Sequence, residues 1–243
     1  MRKAKNPIII ALIVSLLSIS NATGAQNSTG EDQALSETQE AIVVISAYTA
    51  KGDLDKLESA LRSGLDAGLT INEIKEVLVH LYAYSGFPRS IRGLNTFMDV
   101  LDEREDKGIT DEMGSEASPI SDEKSKYKRG LETLYELTGE KWEKPESGYG
   151  AFAPAIDRFL KEHLFADIFD RDVLTYQQRE LVTIAVLSSI GGVEPMLGSH
   201  MSIALNIGVT EPQLRQLFSI MEANVGKEEA KVGREILSQM TSE

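Results

Sequence analysis

The amino-acid sequence predicts an all-α fold made of two tandem helical repeats. Apolar residues recur at helical spacing along the chain, and β-strand alternation is nowhere sustained. The same helix-ending and helix-starting residues occur twice. Residues 40–86 also lie over 180–226 at an offset of 140 without a gap, with identities at Glu40/Glu180, Gly52/Gly192, Leu57/Leu197, Leu65/Leu205, Gly68/Gly208, Thr70/Thr210 and Gly86/Gly226. Two copies that diverge in register keep one architecture, so the differences between them carry functional information.

Taken in order, residues 1–25 read as a cleavable signal peptide. Arg2, Lys3 and Lys5 precede an apolar run from Pro7 to Ile19, and small residues at Thr23 and Ala25 suit cleavage after Ala25. That run is too short for the ~20 residues a helix needs to span a bilayer. The expected product is therefore periplasmic or secreted, with no membrane attachment after cleavage. Residues 26–34 form a flexible polar N-terminus. The first repeat covers 35–105, a charged linker covers 106–126, and a longer second unit covers 127–243. This second unit has lead-in helices near 127–138 and at 154–165, where Ile156, Phe159, Leu160 and Leu164 keep helical spacing, joined by a loop over 139–153.

Within each repeat the punctuation matches. Gly68 and Gly208 stand where a helix closes with positive φ, and Thr70-x-x-Glu73 and Thr210-x-x-Gln213 are capping boxes that open the next helix. Ile74, Val77, Leu78 and Leu81 recur as Leu214, Leu217, Phe218 and Met221, a core stripe. Gly86 ends the first hairpin before Phe87-Pro88, and Gly191-Gly192 stops the helix ELVTIAVLSSI that Glu180 opens.

Charge narrows the partners. With 25 basic and 38 acidic residues the net charge is −13, and removal of residues 1–25 takes away three basic residues and no acidic one. Such a chain is repelled by nucleic acid and by anionic membranes. It has no cysteine, which excludes disulfides and thiol catalysis.

The residues that carry chemistry lie in the second copy. Glu180 and His200 sit on consecutive helices of only about 15–20 Å at 1.5 Å per residue, so an antiparallel hairpin can bring them face to face. A carboxylate beside an imidazole makes a general acid/base pair. The residues alone equally allow Glu180 to bond backbone and His200 to be a satisfied interface histidine. His80 follows an apolar stripe and reads as packed or surface rather than a ligand. His163 reads as a surface residue near a helix end, and three scattered histidines do not make a transition-metal site. Arg89, Arg92 and Arg179 could clamp a substrate carboxylate, although solvated helix faces are their ordinary place.

The segment RELVTIAVLSSIGGVEPMLGSHMSIALNIGVT, with its lead-in DRFLKEHLFADIFDRDVLT, resembles the carboxymuconolactone decarboxylase family, which has the alkyl hydroperoxidase D-like fold. The second unit resembles a full family domain, and the first, ending in EVLVHLYAYSGFPRSIRGLNTFMDVL, its C-terminal helical part. The resemblance implies a trimer or larger closed ring of the doubled chain. The thiol branch of the family resembles Glu-x11-Cys-x2-Cys-x3-His. Its cysteines fall on Val193 and Met196 counted from His200, or on Gly192 and Pro195 counted from Glu180, so a peroxidase activity is disfavoured. The lactone decarboxylase branch implies proton transfer by Glu180 and His200 on a small organic anion, with no cofactor and no metal.

The copies differ in a complementary way. His200 aligns with Ala60, and Tyr82 to Pro88 align with Glu222 to Glu228, so each copy retains half of a pattern. This predicts a composite pocket with Glu180 and His200 on one wall and Tyr82, Tyr84 and Phe87 on another, Arg89 and Arg179 being the candidate carboxylate clamps. The rival class is an oligomeric binding or scaffold protein that has lost turnover. A hydrogen bond between Glu180 and His200 in an open pocket favours the enzyme, and a packed, dry setting favours the scaffold.

Overall fold

The computed structural model describes residues 34–120, 123–142 and 145–241. The signal segment expected over 1–25, and nearly all of the stretch 26–34, lie outside them. The described residues form helices and connecting turns, with no strand among them. The first repeat holds α1 (Glu37–Lys51), α2 (Leu54–Asp66), α3 (Ile71–His80) and α4 (Tyr82–Asp106). Then come α5 (Lys126–Thr138), the short helices α6 (Gly148–Phe152) and α7 (Pro154–Phe159), and a π-helix, Leu160–Ile168. The second repeat holds α8 (Tyr176–Ile190), α9 (Glu194–Asn206), α10 (Glu211–Asn224) and α11 (Lys227–Met240). α2 and α9 occupy the same span at the 140-residue offset.

Local chemistry sets these boundaries. Capping boxes open α1 (Ser36 with Gln39), α3 (Thr70 with Glu73), α8 (Thr175 with Gln178) and α10 (Thr210 with Gln213). Gly68 and Gly208 close α2 and α9 at φ 97° and 95°, as the sequence predicts. The Thr175 box starts α8 at Tyr176, so Glu180 lies a turn inside the helix instead of opening it. The loop expected over 139–153 contains α6. The single helix expected over 154–165 becomes α7 followed by the π-helix. Its widened turns coincide with the closest approach of α5, where a Cβ on Gly130 would lie 1.8 Å from the Lys161 carbonyl oxygen.

α1 and α8 are the centre of the molecule. Ile42 and Ile45 of α1 pack with Val182 and Val186 of α8 in the first-repeat core. Val43 and Ala47 of α1 pack with Leu181, Ile184 and Ala185 in the second. Each helix therefore buries opposite faces in two cores, which is why α8 is buried without a break from Arg179 to Ser188. At roughly 1.5–3 kcal/mol for each fully buried large aliphatic side chain, this shared pair alone ties the repeats into one unit. A third cluster joins Leu134 and Leu137 of α5 to Leu164, Phe165 and Ile168 of the π-helix and to Phe169. The charged linker is pinned between residues 111 and 118. Its Glu112 and Met113 carbonyls accept the first-turn N–H groups of α3, Arg104 pairs with Asp111 at 2.8 Å, and the Ser118 N–H donates to Asp172.

Candidate active site

Glu180 is completely buried on α8, and the reversal through Gly191 (φ 64°) and Gly192 (φ 72°) returns the chain as α9 so that His200 faces it. His200 Nδ1 lies 2.8 Å from Glu180 Oε2. With Nδ1 engaged by the carboxylate, Nε2 is the ring nitrogen left for another partner. The His200 side chain is 13% exposed, so the imidazole is the open end of the pair and the carboxylate the closed end.

The first repeat supplies the opposite wall. Gly86 adopts φ 81° and ψ 158°, a conformation essentially reserved for glycine, which breaks α4 and leaves Tyr82 to Ser85 as a short turn ahead of the main helix. This turn carries Tyr84 to the junction of all three apolar clusters. Its ring meets His200 edge to face at 5.4 Å and 84° and lies 5.5 Å from the ring of His80. Burial, and then the charge of Glu180, push the Tyr84 phenol well above its usual range, so it stays protonated.

Behind Tyr84 runs a buried polar network that sequence reasoning missed. His80 is fully buried, as is Arg179, and Glu76 nearly so. Glu76 Oε1 accepts from Arg179 Nη2 at 2.8 Å, and Arg171 Nε donates to the same carboxylate at 2.9 Å. Arg179 Nη1 lies 3.2 Å from His80 Nδ1, and His80 Nε2 lies 3.0 Å from the Thr183 hydroxyl. That hydroxyl donates to the Arg179 carbonyl, so it must accept from Nε2–H, and Nδ1 must accept from the guanidinium. His80 is thereby a neutral Nε2–H tautomer. Burial, then the charges of Arg179 and His200, hold it well below the ordinary histidine range.

Of the residues expected to meet substrate, Tyr84 alone makes a ring contact with His200 among the described residues. Tyr82 and Phe87 stack on one another at 4.4 Å, with Tyr82 also facing His163 at 5.8 Å. Arg89 is exposed and lies over Gly52 at the C-terminal end of α1. Arg179 does not occupy a solvated face. A basic residue four positions after the cap of an apolar helix reads as surface in sequence, but here Glu76 and the Arg171 carbonyl supply partners inside the core. His163 sits within the π-helix rather than at a helix end, 3.1 Å from Asp167. The signal that could have found the network is Glu76 and His80, an i, i+4 polar pair on the helix that carries the Ile74–Leu81 stripe.

At the corresponding place in the other half, Glu40 bonds Gln216 at 2.6 Å, while Ala60, Ile220 and Asn224 stand where His200, His80 and Tyr84 stand. Among the described residues the Glu, His, His and Tyr set is therefore complete in one half only. Two surface cavities, of about 700 Å³ beside Tyr127 and Asp157 and about 290 Å³ beside Arg129 and Asp170, lie elsewhere. Among the described residues no group of three or more His, Asp or Glu side chains is placed to hold a metal ion.

The model of the carboxymuconolactone decarboxylase family matches residues 21–97 and 154–239. The chain belongs to this family. The first match holds His80 and Tyr84, and the second holds Glu180 and His200, so the family's two segments meet at the site. The 4-carboxymuconolactone decarboxylase of Acinetobacter baylyi is similar, 32% identical over 96 residues, which is 39% of this chain and 71% of that protein.

Proposed function

We propose that this carboxymuconolactone decarboxylase-family protein is exported and performs acid/base chemistry without a cofactor on a small organic anion, by decarboxylation or lactone conversion. The carrying observation is the 2.8 Å bond between Glu180 and His200, set in a buried junction with only the imidazole edge open. In a decarboxylation the C–C bond to the carboxylate breaks, its electron pair moves into the adjacent carbonyl system, and CO2 leaves. His200, protonated and oriented by Glu180, then delivers a proton to the substrate carbon and regains one from solvent.

The enclosure of Glu180 supports a second reading, a non-catalytic oligomeric binding protein. One experiment separates the two. His200→Ala and Glu180→Gln should each lower turnover of a lactone acid by about 10²-fold, and the double variant should be little worse than either alone. The first compound to assay is 4-carboxymuconolactone, on the name of the Acinetobacter relative. Circular dichroism and oligomer mass should stay unchanged, whereas collapse of the assembly would support the scaffold. Full activity in the double variant overturns the site.

A further inference from the structure

Among the described residues four buried side-chain polar atoms have no hydrogen-bond partner: Tyr84 Oη, Arg179 Nε, Glu180 Oε1 and Ser188 Oγ. Three of the four belong to the cluster around His200 and His80, which separates this place from the rest of the core. Buried polar atoms are almost always satisfied, and each exception in a native protein requires an explanation. Packing does not supply one for Tyr84. Phenylalanine would fill the same ring position against His80 and His200, and a buried hydroxyl without a partner destabilises a fold relative to that isostere. The Thr183 hydroxyl is near enough to pull on the phenol, but it already donates to the Arg179 carbonyl and accepts from His80 Nε2, and the Tyr84 hydroxyl makes no hydrogen bond to it.

We propose that the Tyr84 phenol, supplied by the first repeat, is the fixed hydrogen-bond donor of the Glu180–His200 site and donates to a carbonyl oxygen of a small lactone or keto acid bound between the repeats. This rests on the acid/base reading of that site and gives the first repeat its part in it. Tyr84 and Glu180 both border the His200 ring, one through the edge-to-face contact and the other through Nδ1. Both atoms are closed to solvent in the free protein, so a ligand that displaces the packing at the open edge of His200 would meet a donor at Tyr84 Oη and an unpaired acceptor at Glu180 Oε1. Because the phenol stays protonated, it can stabilise negative charge that gathers on the carbonyl oxygen when a neighbouring C–C or C–H bond releases its electron pair. The donor is in place before the ligand arrives, at the expense of an unpaired hydroxyl in the free protein.

The test uses the full chain and a saturated γ-butyrolactone carboxylate, which has the recognition groups and cannot lose CO2 by the proposed route. Calorimetry should show binding to the wild type and about tenfold weaker binding to Tyr84→Phe. The thermal midpoint of the free Tyr84→Phe protein should be equal to or higher than that of the wild type, because an unpaired buried hydroxyl has been removed. A purely structural tyrosine would not give that combination. Unchanged affinity in Tyr84→Phe overturns the assignment while leaving the Glu180–His200 reading in place. A lowered midpoint shows that the phenol is a structural partner in the free fold and also overturns it. Failure of the wild type to bind either the lactone or its open-chain keto acid removes the acid/base reading, and Tyr84's role with it.

Discussion

Arg179 and His80 show what burial asks of individual side chains. Arg179 keeps its charge inside the molecule because Glu76 lies 2.8 Å away, and removing one partner of such a pair typically costs about 3–5 kcal/mol. His80 takes the other course and stays neutral, because burial penalises the imidazolium and the neighbouring Arg179 cation opposes it as well. The consequence for pH has a definite sign. A histidine whose folded pKa is depressed adds stability that is fully present above its unfolded value near 6.5 and is lost as pH falls from there toward the folded value. Urea unfolding should therefore show the protein about 1 kcal/mol less stable at pH 5.5 than at pH 7.0 on account of His80, and His80→Gln should remove that increment. An identical pH dependence in His80→Gln would show that the imidazole is not the neutral, enclosed group described above.

At the level of elements, α5 and the π-helix come together closely at Gly130. Alanine is favoured over glycine inside a helix by about 1 kcal/mol, so Gly130→Ala would stabilise α5 if nothing opposed it. A Cβ there falls 1.8 Å from the Lys161 carbonyl oxygen, and backbone cannot step aside as a flexible side chain can. The clash should win, with Gly130→Ala lowering stability by about 2–3 kcal/mol. Gly198 in α9 is the matched control. Its nearest neighbour would be Ile236 Cγ2 at 3.5 Å, an ordinary contact, so Gly198→Ala should raise stability by roughly 0.5–1 kcal/mol. Denaturant midpoints of the two variants moving in the same direction would contradict this packing. The starts of α3 and α10 and the ends of α2 and α9 were legible because capping boxes and stop glycines act within four residues, whereas α8 starts at the unread Thr175 box. The π-helix was not legible, because its packing partner α5 lies some thirty residues away in sequence.

For the molecule as a whole, the outer faces of α4 and the lead-in region remain apolar. Phe87 and Met98 are each 61% exposed, Ile91 lies between them at helical spacing, and Phe152 is 92% exposed. Without disulfides, an acidic chain gains by covering such surface with further copies of itself. Light scattering should give a particle of three chains or more at micromolar concentration, and Met98→Glu should shift it toward smaller species. A wild-type monomer under those conditions would place all function within one chain.

The sequence by itself determined the repeat, the all-α class, the caps of α3 and α10, the family, and the choice of Glu180 with His200 as the pair to examine, since each rests on residues close in the chain or on a constant offset between copies. It also suggested a composite site, because Ala60 and Asn224 show which half of the pattern each copy had lost. Only the tertiary structure decided that Tyr84 and not Tyr82 or Phe87 reaches His200, that Arg179 is a core cation and that His80 is a neutral member of the same cluster. Those outcomes depend on how α3 and α4 pack on α8, about a hundred residues apart in sequence. A side chain's charge state follows from the neighbours that packing supplies, and no local pattern contains them.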